Sequence, residues 1–522
     1  MHREIRPFSN HRQRAARRLA AGMVALLAAA VGLAAQEPPA ASPALEAAGR
    51  PRALVLSLDD ALRIAAGESE TVWVAQAGVL RAVGNTRIAR SGFFPQITGA
   101  ASYTRTLRSQ FDDISFGGAS EGGGDDGGDD GLGNLPFGRE NQYSLSLSLS
   151  QLLFDAGQTA ARHRATQAQR RAAEIGVDSA IATTFLDVTQ AYFDAQLGDR
   201  LVQITEASLA QTEETLRVTE VAFQVGDKAE FDVLRARVSR DNQLPTLIRR
   251  RTARSEAYLR LKQLLDVPPD DDLVLTTGVG DPVPRFATAS DATPERRAPV
   301  RQAAESVAAG QAQLDEAQAQ WLPTVRLTSQ YSPVAYPSSG LPELDDFQED
   351  WSVTLGLSVP ILTWGRLRGN VMVAQGTLSE ARARLEQSRE AAELEARIAQ
   401  NDLTEAESAL ASNTSTVEEA QRAYQISVVR FREGISTQIE LSDARLQLEQ
   451  SQVNRALALR DVQVARARLA LLENLPLGTA GTGSGVTTQP IQTQPQTTTA
   501  PQPAQPIASA SPLLGGAGGQ ER

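Results

Sequence analysis

The chain offers few side chains for covalent or acid–base chemistry. Its 522 residues include no cysteine and three histidines. His2 and His11 fall in a basic leader, which leaves His163 within a long helical stretch. Thiolate nucleophiles, disulfides and cysteine-held metals are excluded, and imidazole catalysis has a single candidate, most simply a surface residue. No catalytic residue, metal or cofactor is expected, and an enzyme would have to work with carboxylates alone. Glu440 and Asp443, spaced i,i+3, put two carboxylates on one helix face. On their own they fit an ordinary solvated face better than a functional site. Glu121, Asp125, Asp126, Asp129 and Asp130 crowd a glycine-rich segment between 111 and 138. Such acids can hold Ca²⁺, but the fixed ligand spacing of a calcium loop is missing. The segment reads as an acidic loop.

The leader, residues 1–35, has the build of a secretory signal: Arg3, Arg6, Arg12, Arg14, Arg17 and Arg18, then the apolar run Leu19–Leu33, then Ala34 and Ala35. Its removal takes the net charge from −11 to −16, the wrong sign for a nucleic-acid partner. Without cysteine there is no lipidation site. No other stretch is apolar enough for a spanning helix, so contact with a membrane core requires a closed barrel.

The remainder divides into an Ala/Pro-rich linker (36–55), a first repeat (56–268), a connector (269–298), a second repeat (299–476) and a low-complexity tail (477–522). The repeats align over 143–268 and 351–476 at a constant offset of 208. Tyr143–Ser150 lies over Trp351–Ser358, Gly226 over Gly434, and Pro268 over Pro476. Each unit reads helix, strand, strand, helix, helix. The first helix opens at a capping box, Ser57–Asp60, and runs to about Ser91. Its counterpart covers roughly Pro299–Gln320.

Period-two alternation marks four strands. Leu145, Leu147 and Leu149 oppose Ser144, Ser146, Ser148 and Ser150; Val353, Leu355, Leu357 and Val359 oppose Ser352, Thr354, Gly356 and Ser358. Ile97, Ala101 and Tyr103, and likewise Val325, Leu327 and Tyr331, have polar neighbours on the other parity. An aliphatic face backed by small polar residues suits a wall between lipid and a wet lumen; a soluble sandwich alternates as cleanly but draws on more strands. Phe93, Tyr143, Phe154, Trp321, Trp351 and Trp364 lie near the strand ends, as in an interfacial girdle. Four strands cannot close a barrel. If the sheet is membrane-embedded, several chains must share it, and three would supply twelve strands.

A proline-free run follows each hairpin, from Ala156 to Gln224 and from Gly365 to Glu433. Leu403, Leu410, Val417, Tyr424 and Phe431 fall seven apart; shifted by 208 they become Ala195, Val202, Leu209, Leu216 and Phe223. A strict seven-residue repeat predicts left-handed coiled packing. Ala191, Gly198, Ala399 and Ala406 allow close approach. Gly226 and Gly434 end these helices, and return helices follow near 229–265 and 436–473, with Phe231 and Val238, and Ile439, Leu446 and Val453, continuing a seven-residue spacing. Pro245 should kink the first of them.

Short motifs in this order resemble the TolC family of outer-membrane efflux proteins, over about Leu56 to Pro476. They are Asp60-Ala-Leu62, Gly92-Phe-Phe-Pro95, Leu153-Phe-Asp-Ala-Gly157, Phe223-Gln-Val-Gly226 with Asp232-Val-Leu-Arg-Ala236, and Phe431-Arg-Glu-Gly434 with Glu440-Leu-Ser-Asp-Ala444. The resemblance implies an α+β membrane protein: a homotrimer with a twelve-stranded barrel in outer-membrane lipid, continuous with a helical coiled-coil barrel in the periplasm. It implies passive conduction in tripartite efflux or type I secretion, with a periplasmic adaptor and an inner-membrane transporter of RND, ABC or MFS type as partners. The family's mouth-lining acids fall on Glu440 and Asp443, with glutamate where aspartate is usual. The aromatic before the second tip falls on Phe431, which lacks a hydroxyl, and Ser436 stands where some members carry a gating arginine. Adaptor docking is expected at Val225, Gly226, Asp227 and Lys228, and at Glu433, Gly434, Ile435, Ser436 and Thr437. The rival is a periplasm-spanning coiled-coil scaffold or adaptor without a pore.

Overall fold

A computed structural model describes residues 54–107, 141–286, 293–337 and 341–478. The leader, most of the linker, the acidic loop and almost all of the tail lie outside the described residues. The elements in order are β1 (Leu54–Leu56), α1 (Leu58–Glu68), α2 (Glu70–Ser91), β2 (Gln96–Arg105), β3 (Asn141–Phe154), α3 (Gln158–Gln224), α4 (Glu230–Leu264), β4 (Leu273–Leu275), α5 (Ala298–Ala319), β5 (Thr324–Tyr331), β6 (Val334–Ala335), β7 (Phe347–Gln348), β8 (Trp351–Ser358), α6 (Arg366–Arg432) and α7 (Gln438–Leu471).

The helix expected from Ser57 to Ser91 is two helices. Its capping box forms: the Asp60 amide donates to Ser57 Oγ at 3.2 Å, and Asp60 Oδ2 accepts from the Ser57 amide at 3.4 Å. The helix then breaks at Ser69, whose backbone is extended (φ −73°, ψ 122°). Ser69 is buried with its hydroxyl 3.3 Å from that of Thr184, and the Trp73 indole donates to the freed Gly67 carbonyl at 3.0 Å. The break lets α1 turn Leu58, Ala61, Leu62 and Ala65 into a core with Phe185, Val188, Tyr192 and Phe193 of α3. The parallel pair β1–β4, which no alternation signalled, closes this core. Tyr192 Oη binds both sides of it, donating to the Leu56 carbonyl (3.1 Å) and accepting from the Thr277 amide (2.9 Å).

The four long strands form one antiparallel sheet in the order β2–β3–β5–β8, and a short hairpin, β6–β7, pairs with the outer end of β3. Register, not only alternation, makes the two faces coherent. Leu149 pairs with Ile97 and Ser329, Gln151 with Leu327, and Leu327 with Leu355. The opposite parity aligns Ser144, Ser148 and Ser150 with Ser102, Thr98 and Gln96. Among the described residues no helix covers the aliphatic face of β8: Val353, Leu355 and Leu357 are each about two-thirds exposed. Exposed aliphatics on this scale cost free energy in water and mark a surface that meets something apolar. The far edges of β2 and β8 have no strand partner among the described residues.

α3 and α6 are 67 residues each, about 100 Å of helix. Both are entered by the same left-handed turn, Ala156–Gly157 and Trp364–Gly365, related by the 208 offset. Toward the sheet the helices pack in the order α2–α3–α5–α6; toward the other end the order is α4–α3–α7–α6. In α6 the expected seam holds. Leu403, Leu410, Val417 and Tyr424 are half-buried and Phe431 is buried. Gly198 sits where a β-carbon would lie 3.1 Å from Arg254 Cα, and Ala191 and Ala399 are buried, so small residues do set close approaches.

The equivalent seam in α3 holds as far as Leu216, with Ala195 and Leu216 buried and Val202 and Leu209 half-buried, and departs at Phe223, which is 45% exposed; a second buried line runs through Thr205, Ser208, Thr212 and Thr219. The cause is α3's central place: packed between α4 and α7, it buries the face between them. The hydroxyls suit that position because they are small and mostly self-satisfied; Thr205, Thr212 and Thr219 donate to Leu201, Leu209 and Thr215 carbonyls at 2.7–2.9 Å. The stripes predicted on the return helices also point elsewhere. Phe231, Val238, Ile439 and Leu446 are exposed, while α4 packs through Val233, Ala236, Gln243 and Leu247. Helix α4 continues through Pro245 as one element.

Candidate functional site

The two hairpin tips are built alike. The Asp227 amide donates to the Ala222 carbonyl and the Ile435 amide to the Arg430 carbonyl, each at 2.8 Å, closing the α3 and α6 C-termini. Both closures need a left-handed residue, supplied by Gly226 (φ +84°) and Gly434 (φ +72°). Val225 and Ile435 project from the tips, largely exposed.

The tips are not independent. Lys228 of the first places its ammonium 5.1 Å from the centroid of the Phe431 ring. Phe431 is 7% exposed, whereas its counterpart Phe223 faces outward. Gln438, with its amide oriented to match its neighbours, donates to the Asp232 carbonyl and accepts from the Ala236 amide, each at 3.0 Å. Thr437 caps α7, accepting from the Glu440 amide at 3.3 Å. Glu440 and Asp443 lie on the exposed face of α7 with Ile439 and Leu446, and neither has an ion-pair partner among the described residues. Phe431 and Ser436 are buried instead, the Ser436 hydroxyl without a partner among the described residues. The acidic pair and the buried aromatic therefore occupy different faces of the second tip.

Above the tips, sequence reasoning missed a buried polar cluster joining three helices. Ser208 of α3 donates to Glu449 Oε2 of α7 at 2.7 Å, Gln243 of α4 donates to the same oxygen at 3.2 Å, and Arg445 pairs with it at 3.1 Å while also reaching Ser208. Burial pushes the Arg445 guanidinium below its ordinary value against the pull of Glu449 and Tyr424. Burial likewise raises the Tyr424 phenol. The readable signal was the hydroxyl stripe of α3, which leaves an opening for a charged pair that an apolar seam would exclude. Glu449→Ala is expected to cost about 2 kcal/mol, since one carboxylate serves three donors. A fall in the thermal midpoint of the purified protein, larger than that of Ser208→Ala, is the check.

A free-edged sheet with one bare aliphatic face, running into 100 Å coiled helices with paired tips, is an arrangement shared with known proteins. The family described as "Outer membrane efflux protein" matches residues 61–266 and 290–474. The chain belongs to the outer membrane efflux protein family. The solvent efflux pump outer membrane protein SrpC of Pseudomonas putida is 26% identical over 382 residues, spanning 70% of this chain and 74% of its own. Nodulation protein T of Rhizobium leguminosarum bv. viciae is 25% identical over 341 residues, 63% of this chain and 69% of that one. Among solved structures, VceC of Vibrio cholerae superposes with a TM-score of 0.64 at 20% identity, covering 80% of this chain and 96% of its own. CusC gives 0.66 at 18%, covering 84% and 98%. The two solved structures share the fold, and family membership places the chain in the Gram-negative outer membrane.

Proposed function

We propose that the chain is one third of a trimeric duct that passively conducts substrates across the periplasm and outer membrane. The observation that carries this reading is the sheet. Its aliphatic face lacks a cover, and its two edge strands lack partners among the described residues. Three copies joined edge to edge give twelve strands and turn the aliphatic face outward to lipid, with the serine and threonine face lining the pore. The four tip-end helices of each copy give a twelve-helix tunnel, and the exposed apolar stripes on α4 and α7 would be covered, at least in part, in the assembly. The repeats at 56–268 and 299–476 are the units of that architecture.

Within the assembly, Glu440 and Asp443 line the closed mouth and Phe431, clasped by Lys228, steadies it. A periplasmic adaptor docks at Val225–Lys228 and Glu433–Thr437 and links the duct to an inner-membrane transporter, as the names of relatives in efflux pumps support. The transporter chooses the cargo. Purified protein is expected to migrate as a trimer in detergent and to give discrete conductance steps in planar bilayers. A monodisperse monomer without conductance would overturn the reading. Crosslinks from an adaptor should form at the tips; crosslinks only near the strands would reject the docking assignment.

A further inference from the structure

A cleft of about 470 Å³ lies between the C-terminal half of α2 and the first turns of α3, directly below the sheet. It is lined by Val83, Thr86, Arg87, Arg90, His163, Gln167 and Arg170, with no carboxylate among them. Arg87 and Arg90 have no acidic partner among the described residues, and Arg170 has Glu174, 3.2 Å away. His163 Nε2 lies 3.0 Å from Gln167 Nε2, while its Nδ1 is buried without a partner among the described residues. In a chain of net charge −11, this is a local excess of unneutralised cations. A doubly hydrogen-bonding anion such as a phosphate would satisfy guanidinium forks and the open ring nitrogen together.

The cleft's position selects the kind of phosphate. Phe93, two residues past the end of α2, meets the His163 ring edge-on at 6.0 Å. Its carbonyl accepts from Gln151, which stands on the aliphatic parity of β3. These two contacts tie the top of the cleft to the aliphatic side of the sheet. Phe93 (45% exposed) and Phe94 (53% exposed) form an apolar shelf between it and the sheet. A free anion has no use for that shelf, whereas a phospholipid places its headgroup at the arginines and its chains along the shelf and sheet. We propose that this cleft binds the headgroup phosphate of an acidic glycerophospholipid in the periplasmic leaflet. The inference rests on the sheet being membrane-embedded.

The test uses the detergent-extracted full-chain assembly and native mass spectrometry with phosphatidylglycerol, phosphatidylcholine of the same acyl chains, and inorganic phosphate. Phosphatidylglycerol should be retained about tenfold more than phosphatidylcholine, and Arg87→Gln/Arg90→Gln/Arg170→Gln should abolish the difference while bilayer conductance persists. Arg90→Gln alone should reduce it several-fold, which serves if the triple variant fails to assemble. Equal retention of the two lipids, unaltered retention by the variants, or competition by inorganic phosphate at concentrations equal to the lipid would overturn the proposal. Wild-type protein that conducts without lipid preference rejects this inference alone; protein that neither assembles nor conducts rejects the membrane reading beneath it.

Discussion

Glu395→Ala is expected to be among the most damaging single substitutions in the helical body, costing about 3–5 kcal/mol. Arg297, just before α5, is 0% exposed. Its guanidinium pairs with Glu395 Oε2 at 2.9 Å and donates to the Ala392 and Leu475 carbonyls at 3.4 and 3.3 Å. Glu395 also accepts from the Gly478 amide, and the Ala298 amide donates to the Glu473 carbonyl at 2.7 Å. One buried pair thus clasps the start of α5, the middle of α6 and the chain beyond α7. Removing the carboxylate strands a cation in an apolar setting, where the penalty is set by lost solvation and not by the contact itself. Arg297→Leu with Glu395→Leu, which removes both charges, should recover most of the loss. Thermal midpoints of the three proteins are the measurement; equal destabilisation by the single and double variants would show that the site acts through packing alone.

Cation preference is expected to fall sharply in Glu440→Ala with Asp443→Ala. Both carboxylates stand on an exposed face in the first two turns of α7, without a cationic partner among the described residues to neutralise them. In a threefold assembly they become two stacked rings, six like charges where the tunnel narrows, and such rings concentrate counter-ions. The double variant should move the reversal potential under a salt gradient toward the unselective value, most visibly at low ionic strength, where screening is weak. Because both side chains are exposed, stability should change little. Unchanged selectivity would remove these residues from the conduction path.

Much of the fold was legible because its physics is one-dimensional. Strand faces follow from parity, and the register across β2, β3, β5 and β8 carried that parity from strand to strand, except at the irregularity between Leu152 and Phe154 that sets Phe154 opposite Val325. The α6 seam and the glycine-closed tips followed from heptads and from a residue that tolerates positive φ. What escaped reading depends on which neighbours a helix has. Phe223 and Phe431 occupy equivalent positions, yet only the second is buried, with Lys228 of the other tip over its ring. The break at Ser69 answers to Thr184, 115 residues away, and the Arg445–Glu449–Ser208–Gln243 cluster draws on three helices. No local pattern encodes such meetings. The acidic pair at the second tip was legible as a spacing, but its solitude was not.

The equal lengths of α3 and α6 carry a constraint on how this architecture can change. One inserted residue in either helix turns everything beyond it by about 100° and advances it 1.5 Å. Its seam would then face solvent and its tip would leave its partner. A seven-residue insertion nearly restores the facing, and only if each helix packed beside it grows in step. The reach of the proposed tunnel is thus graduated in heptads, like a telescope that extends only by whole sections, and evolution can lengthen it only by adding a section to every helix at once.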